Sequence, residues 1–198
     1  MRNLYGHDGA RPWRGMKRDG WEGGHRVPFI ARWPGRIAPG RVSAQTMTLT
    51  DVMATVASVA GAALPDDAAE DSFDMLPVLL GAQTEAKPVR PYTLTQSFRG
   101  QLQIRRGPWK YLDHKGSGGN DYATKAELQA YQLPERAPDA PGQLYNLDAD
   151  PGETRNLYNE QPDIVKELRA LLEETKASGR SARRGRTPSF PAGGGQEN

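Results

Sequence analysis

Within ten residues the chain sets four glycines, Gly15, Gly20, Gly23 and Gly24, around Lys17, Trp21 and Glu22. Backbone this rich in glycine can turn tightly and adopt φ values that other residues avoid. With almost no apolar periodicity, residues 1–26 are expected to form an extended loop that packs against preceding chain. The loop meets Pro28 and a short apolar run, Phe29-Ile30-Ala31-Arg32-Trp33, closed by Pro34-Gly35. The length and flanks of that run predict a buried strand.

Beyond it, Thr50–Ala60 reads as a helix, with Thr50 as N-cap, Val52, Val56 and Val59 on one face, and Gly61 as the stop. Its alanines predict close packing against a sheet. Leu76–Leu80 is a short apolar piece ended by Gly81, and the polar stretch Ala82–Pro91 is a plausible boundary. From Tyr92 the pattern changes to short alternating runs: Tyr92–Thr95, Leu102–Arg105, Trp109–Leu112 and Leu144–Leu147. Arg106-Gly107 makes a hairpin of the second and third. The insertion between the third and fourth, glycine-rich at 116–119 and proline-rich at 134–141, has a length usually reserved for functional or mobile loops. Asp163–Lys176 carries Ile164, Val165, Leu168, Leu171 and Leu172 at helical spacing, with Pro162 before it and Gly179 after. The expected division is 1–88 as core segment, 89–179 as an antiparallel subdomain with its terminal helix, and 180–198 as a disordered basic tail.

Composition narrows the function classes. With 36% hydrophobic residues, 22 Gly and 16 Pro in 198 residues, much of the chain must be turn and loop, which suits the edge of a larger fold. A net charge of +2 gives no global field for nucleic acid or membranes. The basic excess is local, at Arg180, Arg183, Arg184 and Arg186, where a disordered terminus is the commoner reading and polyanion binding the alternative. No apolar run approaches the ~20 residues of a membrane helix, and the first residues do not form a signal peptide. The chain has no cysteine, which excludes disulfides and thiolate metal sites.

Lys17 is the leading candidate for chemistry. An ammonium held in a tight loop can stabilise charge developing on an anionic substrate and assist a leaving group, although residue type alone favours a solvated lysine. Glu22, before two glycines, is expected to fix a turn by bonding backbone N–H groups rather than to act as a base. His7, on the loop leading to Lys17, is a lesser candidate for substrate contact, and His25 is read as structural. The three histidines show no metal-ligand spacing. Gly116–Gly119 lacks the Gly-Lys-Ser/Thr of a phosphate loop and reads as a hinge or rim. Arg99, Arg105 and Arg106 are candidates for an anionic contact, against the commoner solvated role of hairpin arginines. Asp148–Leu157 fails the calcium-loop spacing, and its Pro151-Gly152 reads as a turn.

Lys17 followed by Trp21-Glu22-Gly23-Gly24 and Arg26-Val27-Pro28, and the later Leu144-Tyr145-Asn146-Leu147 with Asp150-Pro151-Gly152-Glu153 and Asn156-Leu157, resemble the C-terminal part of type I, arylsulfatase-like sulfatases. In order and spacing the resemblance runs to about Ser181. It implies an α/β fold: the last elements of a sulfatase/alkaline-phosphatase-like sandwich, then a small antiparallel sheet packed by a C-terminal helix. It also implies hydrolysis of sulfate monoesters by a formylglycine hydrate, with a divalent cation, usually Ca2+, held by Asp and Asn side chains. Lys17 matches the sulfate-binding lysine, and the segment 144–157 is structural.

Departures from the pattern carry equal weight. No Cys/Ser-x-Pro-x-Arg is present, and the Asp-Asn-Gly expected before the lysine is replaced by His7-Asp8-Gly9, so no nucleophile and no Ca2+ ligand is assigned. The chain is therefore expected to be a sulfatase by descent that is inactive alone, missing an N-terminal half and exposing a large apolar face. A subunit of a split sulfatase, or a non-enzymatic module binding anionic glycans, are the alternatives. A sulfated small molecule or glycan is the expected partner of an intact enzyme. Relatives are commonly periplasmic or secreted.

Overall fold

The computed structural model of the chain describes residues 6–182. Contacts group them into two compact units, one of residues 6–28 and 94–174, the other of 29–93 and 175–182. Most of the expected basic tail, 183–198, lies outside the described residues. Among the described residues no helix is long and apolar enough to cross a membrane.

The first unit is built on a four-stranded sheet, β1 (Thr93–Gln96), β2 (Leu102–Arg106), β3 (Trp109–Leu112) and β4 (Gln143–Asn146), in that spatial order. All four lie within one residue of the runs read from sequence. β2, β3 and β4 pair antiparallel, with Arg106 opposite Trp109 and Lys110 opposite Tyr145. The β2–β3 loop is therefore Gly107-Pro108. Gly107 sits at φ +56, matching the primed turns that follow strand twist, with glycine first and proline, which needs negative φ, second.

Both sides of β3 are covered. Lys110, Tyr111 and Leu112 are all nearly inaccessible, and alternation sends Lys110 and Leu112 to one face and Tyr111 to the other. Leu112 joins Trp21, Tyr122, Tyr145 and Leu147 in a buried cluster, with Met16, Leu128 and Tyr131 at its margin. The terminal helix Pro162–Ser178 buries Val165, Leu168, Leu172 and Thr175. Its Arg169 donates to the Tyr111 hydroxyl at 3.0 Å and to that of Tyr158. Within the long insertion there is one short helix, Ala126–Gln129.

The second unit contains α1 (Asp51–Ala60) and α2 (Leu76–Leu80), which pack against each other. Gly61 ends α1 in the left-handed region as expected. Thr50 does not cap it: its backbone is already helical, and no capping bond forms. Asp51 reaches back instead to the Thr48 N–H at 2.8 Å and also accepts from Phe73 N–H at 2.9 Å. Arg90 closes this cluster with a two-point ion pair to Asp51, at 2.8 and 3.1 Å, both side chains buried.

One expectation fails here. The run Phe29–Trp33 forms no strand, and Phe29 and Ile30 are 45% and 92% exposed. A strand exists only where a neighbour takes its N–H and C=O groups, and none of the described residues pairs with this run. The inward face of α1 is Asp51, Ala54, Thr55 and Ala57, while Val52, Val56 and Val59 point outward. Ser72 Oγ accepting from Ala54 N–H, and Thr55 Oγ1 accepting from Met75 N–H, fix that orientation.

Candidate functional site

Lys17 occupies an exposed turn and forms no ion pair with any described residue. The turn around it is fixed at almost every backbone group. Arg18 holds φ +94, a costly value for a residue with a Cβ. It is kept there because its carbonyl accepts from Phe98 N–H at 2.9 Å, while its guanidinium lies 3.7 Å over the Phe98 ring. Asn120 Nδ2 donates to the Lys17 carbonyl at 3.0 Å. Asp19, wholly buried, accepts from Met16 N–H, from the backbone and side chain of Asn120, each at 2.9 Å, and from the Tyr122 hydroxyl. Burial and that bond to Asp19 push the Tyr122 phenol above its ordinary range.

The glycine run at 116–119 supplies the opposing wall. It is packed in place: Ser117, Gly118 and Gly119 are buried, Gly20 N–H donates to the Ser117 carbonyl at 2.6 Å, and Arg99 N–H donates to that of Gly118 at 3.0 Å. A Cβ on Gly119 would overlap the Arg18 carbonyl oxygen. Gly119 thus lets backbone lie directly on backbone.

The Glu-Gly-Gly turn has an equally physical cause. A Cβ on Gly23 would fall 2.5 Å from the Gly15 carbonyl oxygen, and one on Gly24 would overlap that of Asp19. Glu22 does not bond backbone N–H groups as expected from sequence. Its carboxylate meets Lys110 Nζ at 2.9 Å, Arg26 at 2.8 Å and Arg105 at 3.4 Å. The turn's own N–H, that of Glu22, goes instead to Glu153 Oε2 at 2.7 Å. Glu153 is fully buried at φ +50, and its other oxygen makes a charge contact with Lys110 at 3.2 Å.

Lys110 therefore sits buried between two carboxylates. Burial works to raise the Glu22 pKa, but Lys110, then Arg105 and Arg26, outweigh it and bring the group from 4.5 down to about 2. For Glu153 burial wins and the pKa rises. Burial also lowers His25, with Lys110 adding repulsion, to about 4, so its imidazole is neutral at pH 7. The His25 Nε2, shielded from solvent, has no hydrogen-bond partner among the described residues.

His7 is exposed. Asp8 is occupied by Ala10 N–H and Arg11 Nε. Among the described residues no three His, Cys, Asp or Glu side chains converge as a metal site would require. Of the candidate arginines, Arg105 is committed to Glu22 and Arg106 pairs with Glu167.

Residues 3–62 match a family model described as Sulfatase. An N-acetylgalactosamine-6-O-sulfatase of Bacteroides thetaiotaomicron is 36% identical over 87% of this chain and 32% of its own length. The steryl-sulfatase of Mus musculus is 34% identical over 86% of this chain and 28% of its own. A solved Bacteroides thetaiotaomicron structure, described in connection with the metabolism of multiple glycosaminoglycans, superposes with a TM-score of 0.68 at 36% identity. It covers 83% of this chain and 32% of that one. The chain belongs to the sulfatase family. It spans about a third of the length of the curated relatives it matches. As a member of that family it has the α/β architecture its sequence resembles, with the antiparallel sheet and packed terminal helix in place. Sequence reasoning missed Asp19, Lys110, Glu153 and Asn120. The only signal for Glu153 was its place in the Asp-Pro-Gly-Glu segment, and for Lys110 a charge in an otherwise apolar strand.

Proposed function

We propose that Lys17 is the substrate-sulfate-binding and catalytic cation of a sulfuric ester hydrolase acting on sulfated glycans, and that the surrounding chain exists to hold it. The observation that carries this reading is a free ammonium on an exposed turn whose next two residues are a strained Arg18 and a buried, fully engaged Asp19. Strain held in place by surrounding bonds is characteristic of sites where position matters. A sulfate monoester spreads negative charge over its oxygens, and more gathers on the bridging oxygen as the S–O bond breaks. A pre-positioned ammonium stabilises that charge without reorganising. The name of the Bacteroides relative supports 6-O-sulfated N-acetylgalactosamine as the substrate class, and His7 is a second, weaker candidate for contact with it.

The family is metal-dependent, but the described residues do not fit a Ca2+ site. Ca2+ enters this reading only as an ion that other residues of a complete sulfatase would hold. The test is an amide-shift titration of the chain with 4-nitrophenyl sulfate, alongside release of sulfate with and without Ca2+. Shifts centred on 17–19 that vanish in Lys17→Ala, with no turnover, are expected. Shifts that survive Lys17→Ala would overturn the assignment. Ca2+-dependent turnover abolished by Lys17→Ala would show that this chain alone assembles the whole site.

A further inference from the structure

Beneath the long insertion, within the first unit, lies a half-open cavity of about 420 Å³. Its volume is inside the ~300–1,000 Å³ usual for small-molecule sites. Three cations, Arg14, Arg99 and Lys115, line it, and none makes an ion pair with a described residue. Arg14 is half-buried and lies 3.7 Å over the Trp21 ring. Its hydrogen bonds go to neutral oxygens, the Tyr145 hydroxyl at 3.1 Å and the Glu153 carbonyl at 2.9 Å. Lys115 likewise donates to a neutral oxygen, the Pro138 carbonyl, at 2.8 Å.

Two acids, Asp121 and Glu135, also line it, and Thr124 and, more weakly, the Arg99 charge hold Asp121 below its usual range. Asp121 accepts from the backbone of Ala123 and Thr124 and from the Thr124 hydroxyl. Glu135 accepts from Ala137 N–H at 2.9 Å and from Asn156 at 3.4 Å. Three cations against two carboxylates leave the lining a net charge of +1, and partial burial of Arg14, whose bonds go to neutral oxygens, strengthens its share of it. Tyr122 and Tyr131 add aromatic surface, and Gln101 and Gln132 add amides. Arginine, aromatic faces and amides together suit a sugar ring that carries an anionic substituent and several hydroxyls.

We infer that this cavity is a glycan-binding site, distinct from the Lys17 turn, that takes a pyranose unit bearing a sulfate or carboxylate. The choice of a glycan rests on the sulfated-glycan reading above; the net cationic cavity does not. Asn120 links the two places, since it lines the cavity while donating to the Lys17 carbonyl. A chain of sugars could thus be gripped at one unit in the cavity while another meets the lysine.

The experiment is a titration of the full chain with a chondroitin-6-sulfate tetrasaccharide, followed by amide shifts and calorimetry. The desulfated tetrasaccharide and inorganic sulfate serve as comparison probes. The expected result is shifts at 115–122 and 131–133, with affinity weakened at least tenfold in Arg99→Ala/Lys115→Ala. Circular dichroism of the double variant should match wild type, both side chains being peripheral to the core. Equal affinity for inorganic sulfate would overturn the sugar assignment. Unchanged affinity in the double variant, or no binding at millimolar tetrasaccharide, would overturn the site. Loss of the cavity shifts with the 17–19 shifts retained would sink this inference alone. The converse would sink the Lys17 reading alone.

Discussion

Replacing Lys110 by methionine removes the cation shared by Glu22 and Glu153 while keeping the length of the side chain. Lys110 is 1% exposed and the two acids 6% and 0%, so little solvent is at hand to screen what remains. Removing one partner of a buried ion pair costs about 3–5 kcal/mol. The lowering of Glu22 from 4.5 to about 2 corresponds independently to ~3 kcal/mol of preference for its charged form, shared among Lys110, Arg105 and Arg26. Either figure is a large part of the 5–15 kcal/mol that holds an ordinary domain together. In urea unfolding followed by circular dichroism, at a slope of about 2 kcal/mol/M, Lys110→Met should lower the midpoint by about 1.5–2.5 M with the slope unchanged. Without the lysine Glu153, which burial already raises, loses its counter-charge and rises further. The folded state then binds the extra proton and loses stability as pH rises, so the deficit should be larger at pH 7.5 than at pH 5. Lys110→Met/Glu153→Gln keeps an oxygen for the Glu22 N–H and removes one stranded charge, so it should recover at least half the loss. A single variant costing under ~1 kcal/mol, or a double variant no better than the single, would refute the account.

Two further predictions follow from the same loop. Gly24→Ala drives a methyl into the Asp19 carbonyl and should cost about 1–3 kcal/mol by overpacking; an unchanged thermal midpoint would show that the turn relaxes freely. His25, with a folded pKa of about 4 against 6.5 unfolded, contributes stability that is full above pH 6.5 and is lost as pH falls through about 4. His25→Gln should flatten stability across that interval and leave intact the later acid loss of Glu22, between pH 4.5 and 2; identical slopes in both proteins would count against a buried neutral imidazole.

Elements whose partners lie close in sequence were legible. The strands β2 and β3 alternate around a two-residue turn, and Gly61 and Gly179, both at positive φ, stop their helices where expected. Elsewhere the limit is physical: apolar periodicity reports a face and not what the face meets. Val52, Val56 and Val59 make as good a stripe as Ala54 and Ala57, and only the bonds from Ser72 and Thr55 decide which side of α1 turns inward. Phe29–Trp33 has strand composition, yet composition supplies no second strand to accept its hydrogen bonds.

The Lys17 turn shows the same limit at the candidate site itself. Two of its glycines are forced by contacts with backbone only a few residues away, Gly23 against Gly15 and Gly24 against Asp19. What stops those glycines from leaving the turn floppy comes from far downstream: the Glu153 carboxylate on the Glu22 N–H, Lys110 on the Glu22 side chain, and Asn120 on Asp19 and on the Lys17 carbonyl. Glycine makes the shape accessible, and buried charge makes it the one occupied. A local motif can therefore announce a cation-bearing turn but not its rigidity. For the same reason, the variants that best separate a positioned lysine from a merely exposed one are changes at 110, 120 and 153, about a hundred residues or more from the motif that drew attention to it.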